Sequence, residues 1–178
     1  MKNQLRKLAL QKRKELDVSA LSEQVMCNLF SLDVYKNAKN ILTYFPLKYE
    51  IQTQACFNDD SKIWYLPRVD GENLEVCLYE KEKLSKGSFN IQEPINEKID
   101  DLSLFDLVII PCVAADKKGY RIGYGKGFYD RFLPSLPNNC KKVLLVYSEL
   151  LFEDVFPNEF DVSVDVIVTD KEIFRFNC

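Results

Sequence analysis

Four of the six glycines in this 178-residue sequence lie between Gly119 and Gly127. A continuous apolar run, Leu107–Pro111, precedes them, and a helical pattern over Lys126–Leu136 overlaps their end. Because glycine loses more backbone entropy on folding than any other residue, such a concentration requires a structural reason. A strand, a glycine loop and a helix in this order gather unpaired backbone N–H groups at one point, which favours anion binding. The pattern therefore predicts one strand–loop–helix unit of an α/β fold, with a candidate phosphate site.

The glycine-rich segment, defined here as Gly119–Arg131, differs from the common phosphate-binding motifs. No Ser or Thr follows its Gly-Lys pair, as a Walker A loop requires, and its glycine spacing is not that of the dinucleotide fingerprint. Arg121 and Lys126 add positive charge to the backbone N–H groups. The simpler alternative is a flexible surface loop, but such loops rarely interleave glycines with aromatic residues such as Tyr124, Phe128 and Tyr129. Phosphate or nucleotide binding is the favoured interpretation.

The remaining sequence alternates between strand-like and helix-like patterns. Apolar spacing predicts helices over Lys2–Leu16 and after an N-cap at Ser19, with shorter or weaker helices over Ile51–Phe57 and Leu150–Phe160. The predicted strands, beside Leu107–Pro111, are Ile41–Phe45, Ile63–Leu66, Leu74–Tyr79, Val143–Tyr147 and Val166–Val168.

The order of these elements predicts the fold class. Asp70-Gly71 indicates a hairpin turn, and the polar stretch Lys81–Ser88 is predicted to be a loop. No repeat or linker divides the chain. We therefore expect a single domain over residues 1–178, a layered α/β/α sandwich whose sheet is mostly parallel with one antiparallel excursion.

Composition excludes several classes of chemistry. The chain has no histidine, which rules out Ser-His and Cys-His dyads and histidine metal ligands. Its six cysteines include no CxxC pair, so we expect reduced, mostly buried thiols rather than a zinc site. A net charge of −3 argues against nucleic-acid binding. The apolar runs are too short for a membrane span and no signal peptide is recognisable, so a cytoplasmic location is expected.

Basic side chains are concentrated at the N-terminus, where the first fifteen residues carry six of them. Helical spacing puts Lys2, Arg6 and Arg13 on one flank of the first predicted helix. A solvated basic face is one explanation, and a helix that offers cations to phosphates is the other. Composition alone leaves both open.

The glycine-rich segment, Gly-Tyr-Arg-Ile-Gly-Tyr-Gly-Lys-Gly-Phe-Tyr-Asp-Arg, resembles the signature of 5-formyltetrahydrofolate cyclo-ligases. Shorter segments agree with that family in order and spacing and extend the resemblance over nearly the whole chain. They are Lys2-x-x-Leu5-Arg6, Glu50-Ile-x-Thr53, Leu66-Pro67-Arg68, Glu93-Pro94, Asp106–Pro111 and Asp161-x-x-x-Asp165-x-x-x-Thr169.

The resemblance implies a ligase of one-carbon metabolism. Such an enzyme converts 5-formyltetrahydrofolate, in some cases polyglutamylated, to 5,10-methenyltetrahydrofolate with ATP and Mg²⁺. The implied mechanism phosphorylates the formyl oxygen, closes the ring by attack of N10 and releases ADP and phosphate. The implied fold is like that of the ribose-5-phosphate isomerase and CoA-transferase group. A cytoplasmic monomer is expected, with no nucleic-acid or membrane partner.

The resemblance also assigns roles to individual residues. Arg121 and Lys126 are the expected catalytic residues, and Asp130 and Asp165 the expected magnesium ligands. The expected ATP-binding residues are Lys2, Arg6, Arg121, Gly123, Gly125, Lys126, Gly127 and Tyr129. The expected substrate-binding residues are Phe45, Glu50, Tyr124, Gly125, Lys126 and Phe128.

Three of these residues have simpler explanations. Glu50 could be a carboxylate placed at a helix N-terminus by the dipole, and Asp130 could serve only in a salt bridge with an arginine. Asp165 could be a cap at the entry of a strand.

The sequence departs from the family pattern at three positions. Phe160 stands where histidine is more usual, Ala115 where an aromatic residue is usual, and Asn90 where glycine is usual. Ala115 and Phe160 could reshape the folate pocket. There are three rival functions: an ATP-dependent enzyme acting on another amide-like or pterin substrate, a non-catalytic nucleotide- or folate-binding module, and an RNA-binding regulator, which the net charge disfavours.

Overall fold

The computed structural model describes residues 1–87 and 90–176. Its α-helices are α1 (Lys2–Arg13), α2 (Val18–Ser31), α3 (Asp33–Asn37) and α4 (Phe128–Phe132). Its strands are β1 (Asn40–Leu42), β2 (Ile63–Asp70), β3 (Asn73–Leu78), β4 (Leu84–Lys86), β5 (Gln92–Pro94), β6 (Leu107–Ile110), β7 (Ala114–Asp116), β8 (Arg121–Ile122), β9 (Lys141–Leu145), β10 (Leu151–Phe152), β11 (Val166–Val168) and β12 (Ile173–Arg175).

A seven-stranded sheet forms the centre of the molecule, in the order β12-β11-β9-β6-β1-β2-β3. The five inner strands are parallel, and β12 and β3 add antiparallel edges. The strand β6 is fully buried along its length, which explains its uninterrupted apolar sequence. The predicted α/β fold with a mostly parallel sheet is confirmed.

The first two helices follow their apolar periodicity. In α2 the buried residues Ser22, Val25, Met26 and Leu29 recur at the spacing of one helical face. The predicted N-cap at Ser19 is wrong, because the carboxylate of Asp17 accepts from the N–H of Ala20 and begins the helix two residues earlier. The first helix ends at Arg13 rather than Leu16.

The hairpin of β2 and β3 turns at the predicted position. Asp70 pairs with Asn73, and Gly71 has a φ of 58°, which a primed hairpin turn requires. The strand β2 runs four residues beyond the predicted end and includes Pro67. Proline is tolerated there because β1 pairs only with the first three residues of β2. Pro67 lies beyond them, so its nitrogen, which has no hydrogen to donate, faces no strand.

Several other predicted boundaries are wrong. The helix predicted over Lys126–Leu136 consists of α4 and a 3₁₀ turn, and the one over Ile51–Phe57 is a 3₁₀ turn over Gln54–Asn58. The strands predicted over Ile41–Phe45 and Val143–Tyr147 lie at Asn40–Leu42 and Lys141–Leu145.

Two predicted segments have a different secondary structure. Leu150–Phe160 contains β10 and no helix, because the short side chains of Asp154 and Asn158 accept from nearby backbone N–H groups. The predicted loop from Lys81 contains β4, and its end, Ser88, lies outside the described residues.

The cysteines are free thiols in the described chain. Four of the five described ones are buried, as predicted, and Cys27 is exposed. The sixth, Cys178, lies outside the described residues.

Within the described ranges, every helix is too short or too polar to cross a bilayer.

Candidate active site

A cavity of about 410 Å³ lies at the carboxyl ends of β1 and β6. Ligands of α/β proteins bind at this edge of the sheet, and the volume is typical of a small-molecule site. One wall follows β1, a second is the β2–β3 hairpin with the segment at β5, and the third is the glycine-rich segment with the start of α4. The cavity is therefore enclosed by three parts of the chain that are distant in sequence.

Most of the predicted site residues line this cavity. Those that do are Phe45, Glu50, Arg121, Gly123, Tyr124, Lys126, Gly127, Phe128, Tyr129 and Asp130. Four predicted residues are outside the described lining: Lys2, Arg6, Gly125 and Asp165. The structure thus brings the predicted substrate residues together and separates one predicted metal ligand from them.

The loop Gly123–Gly127 of the glycine-rich segment needs glycine at two positions for conformational reasons. Gly125 and Gly127 have φ values of 95° and 69°, in the left-handed region, and Gly127 is the N-cap of α4. A Cβ at Gly127 would lie 2.8 Å from Nη1 of Arg131. The residues from Gly123 to Gly127 thus form a tight loop that leads directly into α4, whereas Arg121 and Ile122, expected in the loop, form the strand β8.

Arg6 lies against this loop although it does not line the cavity. Its Nε donates to the carbonyl oxygen of Gly123 at 2.8 Å, and its guanidinium is within 4 Å of the position a Cβ would take at Gly125. Lys2, one helical turn earlier, pairs with Asp161 at 2.6 Å. Both side chains have partners in the protein, so they are not part of a freely solvated basic face.

Arg121 and Asp130 form an ion pair of 2.7 Å at the wall of the cavity. Arg121 is only 6% exposed, and its second terminal nitrogen donates to the carbonyl oxygen of Val162 at 2.8 Å. This is the salt bridge considered as the simpler explanation for Asp130. The pairing fixes Asp130 at the start of α4, facing the cavity.

Asp165 precedes β11, at the opposite edge of the parallel sheet from the cavity. Its Oδ2 accepts from the backbone N–H of Lys142 at 2.8 Å, which is the role of a strand-entry cap. Among the described residues, no three Asp, Glu or Cys side chains cluster in a way that could hold a metal ion. A cation here would need most of its ligands from bound phosphates and water.

Glu50 is a buried carboxylate of the cavity, with 5% of its surface exposed. Its Oε2 accepts from the N–H of Leu47 at 2.8 Å, and its Oε1 accepts from the hydroxyl of Tyr124 at 2.9 Å. Burial raises the pKa of Glu50, and these two hydrogen bonds and the charge of Arg13 offset part of that shift. Each oxygen retains acceptor capacity for a ligand N–H group.

Arg13 is the functional neighbour that the sequence analysis missed. It is 4% exposed, and it donates to the carbonyl oxygen of Cys112 at 3.1 Å and to the hydroxyl of Tyr124 at 2.5 Å. Its charge alone places it with Lys2 and Arg6 on the basic flank of α1. The signal was helical spacing, because Arg13 follows fully buried Ala9 by four residues and shares its inward face.

The sequence assigned no role to the residues of the second cavity wall, which is formed by the β2–β3 hairpin and the segment at β5. The hairpin contributes Pro67, Val69 and Leu74, and the neighbouring segment adds Ile91, Gln92 and Glu93. Arg131 ties the hairpin to the third wall by donating to the carbonyl oxygens of Glu72 and Lys126. The only sequence signal was the agreement of Leu66-Pro67-Arg68 and Glu93-Pro94 with the family pattern.

Comparison with known proteins identifies the family. Residues 1–170 match the model of the 5-formyltetrahydrofolate cyclo-ligase family. The chain belongs to this family. Its cyclo-ligase relatives include one from Mycoplasma pneumoniae, 31% identical and covering 96% of this chain and 99% of its own. A probable cyclo-ligase from Schizosaccharomyces pombe is 28% identical, with 98% and 97% coverage.

Solved cyclo-ligase-family structures share the fold over nearly the whole chain. A 5,10-methenyltetrahydrofolate synthetase from Aquifex aeolicus superposes with a TM-score of 0.86 at 36% identity, covering 98% of this chain and 92% of that one. The Mycoplasma pneumoniae synthetase gives a TM-score of 0.77 at 26% identity, with 96% and 99% coverage. The predicted family resemblance is confirmed, and the chain is an enzyme of the cyclo-ligase family.

Proposed function

We propose that the chain converts 5-formyltetrahydrofolate to 5,10-methenyltetrahydrofolate and consumes one ATP. The observation that carries this proposal is the cavity of about 410 Å³ in a chain of the cyclo-ligase family. A buried acceptor, Glu50, lies in one of its walls and the cationic glycine-rich segment forms another. A folate and a polyphosphate require these two kinds of surface side by side.

The folate is proposed to bind at the Glu50 wall. The adjacent N–H groups of its pterin ring are matched donors for the two carboxylate oxygens, each of which keeps acceptor capacity. Phe45 and Phe128 supply apolar surface for the flat ring. The hairpin residues Pro67 and Val69 close the opposite side.

The polyphosphate is proposed to bind at the glycine-rich segment. Lys126 is exposed at the cavity wall, and Arg121 is held rigidly beside it by Asp130. The Nε of Arg6 donates to the carbonyl oxygen of Gly123 in this loop, and its guanidinium adds positive charge. The helix α4 has only five residues, so its dipole is small. Formal charges and loop N–H groups must therefore provide most of the attraction for the phosphates.

The chemical steps need positioning and charge rather than a histidine base. The formyl oxygen attacks the γ-phosphorus of ATP, and the bond to the ADP oxygen breaks. N10 then adds to the activated formyl carbon, the C–O bond to phosphate breaks, and the N10 proton leaves with the phosphate. Arg121 and Lys126 are the proposed catalytic residues, because charge develops on phosphate oxygens in these steps.

Magnesium is proposed to bind between Asp130 and the phosphates. When bound, it would neutralise charge on the transferred phosphoryl group. Asp130 faces the cavity and is the better-placed ligand. The assignment of Asp165 as a ligand stays a prediction, because its carboxylate lies at the opposite edge of the sheet and accepts from the N–H of Lys142.

Absorbance at the methenyl-folate band tests the proposed function. With 5-formyltetrahydrofolate, Mg²⁺ and ATP, we expect a rise accompanied by equimolar ADP, and none without ATP. A folded protein that binds ATP but forms no methenylfolate would favour the rival enzyme on another substrate. Binding of both ligands without ADP release would favour the non-catalytic module. Monomeric state, cytoplasmic location and the use of polyglutamylated folate stay predictions.

A further inference from the structure

We propose that Arg13 is a positioning residue for the folate side of the cavity, acting through Tyr124 on the carboxylate of Glu50. The inference rests on the proposed function and adds a residue to it. Arg13 lies behind the cavity wall and does not line the cavity, so it acts on a folate only through these partners.

Hydrogen bonds run in one direction from Arg13 to Glu50. Nη2 of Arg13 donates to the hydroxyl oxygen of Tyr124 at 2.5 Å, and that hydroxyl donates its own proton to Oε1 of Glu50 at 2.9 Å. The guanidinium carbon also lies 5.5 Å from the centroid of the Tyr124 ring. A single arginine thereby fixes both the position of the phenol and the direction of its proton.

The chain of contacts joins three elements that are distant from one another in sequence. Arg13 ends α1, Tyr124 belongs to the glycine-rich segment, and Glu50 follows β1. Nη1 of Arg13 donates to the carbonyl oxygen of Cys112, just beyond β6, so the guanidinium is anchored to the sheet. The geometry of the folate wall is therefore set from behind by α1.

Placing the Arg13 guanidinium in a buried position costs desolvation free energy, which indicates that this side chain has a function. Arg13 is 4% exposed, and its Nε is buried without a hydrogen-bond partner among the described residues. Arg13 and Glu50 also line a space of about 10 Å³, roughly the size that holds one water molecule. Isolated buried charges are strongly disfavoured, and the carboxylate of Glu50 gives this one its counter-charge.

Arg13 supplies the positive charge acting on Glu50 within the described chain. The other titratable groups that interact with Glu50 are tyrosines and a cysteine, which are neutral near pH 7 at their ordinary pKa values, and burial raises those pKa values further. These groups are Tyr44, Cys112, Tyr124, Tyr129 and Tyr147. Removing Arg13 thus leaves the carboxylate buried without its cation, which favours the protonated form that accepts fewer hydrogen bonds.

Steady-state kinetics of Arg13→Gln tests the proposal, with Lys12→Gln as the matched control. Lys12 is the preceding residue of α1 and is exposed. We expect kcat/KM for folate to fall about tenfold, the size of losing a hydrogen bond to a charged group, while KM for ATP changes less than about twofold. The acid limb of the folate pH profile should move to higher pH, and Arg13→Lys should restore part of both.

Two outcomes would overturn this role. If Arg13→Gln behaves like Lys12→Gln, Arg13 has no function in the site. If both KM values change together and the acid limb stays in place, Arg13 only supports the fold.

Tyr124→Phe gives a second test should Arg13→Gln fail to fold. It removes the phenol oxygen and keeps both of its partners, so the acid limb should move in the same direction. Where Arg13→Gln folds, combining the two changes should cost less than the product of their separate effects, because both break the same chain of hydrogen bonds. Independent, multiplying effects of the two changes would contradict action through Tyr124.

A measurement without turnover separates this inference from the proposed function. If the unchanged protein forms no methenylfolate, the proposed function has failed. Urea unfolding still reports on Glu50, whose ordinary pKa is 4.5. The unfolding free energy lost between pH 4.5 and neutral pH should be larger in Arg13→Gln, because the folded-state pKa of Glu50 rises further. An unchanged loss would contradict the link between Arg13 and Glu50.

Discussion

The Glu50 wall and the Lys126 wall of the cavity are organised in different ways. Glu50 is 5% exposed and both of its oxygens accept hydrogen bonds from the protein, so its geometry is set before any ligand arrives. Lys126 is exposed, on a loop with two left-handed glycines. One wall is preorganised by burial, whereas the other carries cations that a polyphosphate can order.

This difference separates the effects expected from mutations. Changes at the buried wall should alter folate use with little dependence on salt, because buried interactions are weakly screened. Changes at the exposed wall should alter ATP use and should depend on ionic strength.

Glu50→Ala is expected to have the largest effect. It leaves Tyr124 and the N–H of Leu47 without their acceptor and removes the acceptor for the pterin N–H groups. We expect kcat/KM for folate to fall by about a hundredfold or more, with a small change in KM for ATP. Two-substrate initial rates measure both constants. Exposed Glu153→Ala is the control, and an equal rise in both KM values would contradict a folate-specific wall.

Lys126→Ala should weaken ATP use by about tenfold, since a charge-assisted contact with phosphate is lost. KM for ATP should rise, and the difference from the unchanged enzyme should shrink as salt is added. Lys117→Ala, at another exposed lysine, is the matched control. Near-unchanged turnover at limiting ATP would remove Lys126 from the phosphate site.

Asp130→Asn should change the magnesium requirement by several-fold, about three to ten, because a neutral amide is a poorer ligand than a carboxylate. The variant also removes the charge partner of Arg121. Magnesium titration at saturating ATP and folate measures the effect, with Asp154→Asn as control. An unaltered magnesium curve would show that Asp130 serves only in the salt bridge.

Glu50→Gln should have the smallest effect, on the pH dependence of stability. Burial raises the pKa of Glu50 above its ordinary 4.5, so the folded state binds a proton that the unfolded state has lost. The unfolding free energy therefore falls as pH rises from 4.5 through the folded-state pKa. Urea unfolding should show a shallower decline in Glu50→Gln. A parallel decline in both proteins would mean that Glu50 does not titrate in this range.

The contrast between the two walls also explains what the sequence could predict. The glycine-rich segment is local: its spacing and its charges are readable within thirteen residues, its preceding strand lies shortly before them, and it lies at the cavity as expected. The alternation of elements predicted the parallel sheet for the same reason.

The unpredicted parts depend on contacts between distant segments. Pro67 and Val69 reach the cavity only because β1 is short and β2 continues past it, which no local pattern of β2 reveals. Arg13 resembles any lysine or arginine of a basic helix until the fold buries it beside Tyr124. The helix predicted over Leu150–Phe160 failed because side chains of Asp154 and Asn158 satisfy the local backbone.

Transfer of a heavy-oxygen label tests the central claim most directly. Substrate labelled at the formyl oxygen is incubated with ATP and Mg²⁺, and the released phosphate is analysed by mass spectrometry. If the γ-phosphate is transferred to the formyl oxygen in this cavity, each phosphate formed carries one labelled oxygen, and ADP and methenylfolate appear in equal amounts. Unlabelled phosphate, with the label released to water, would contradict phosphorylation of the formyl group.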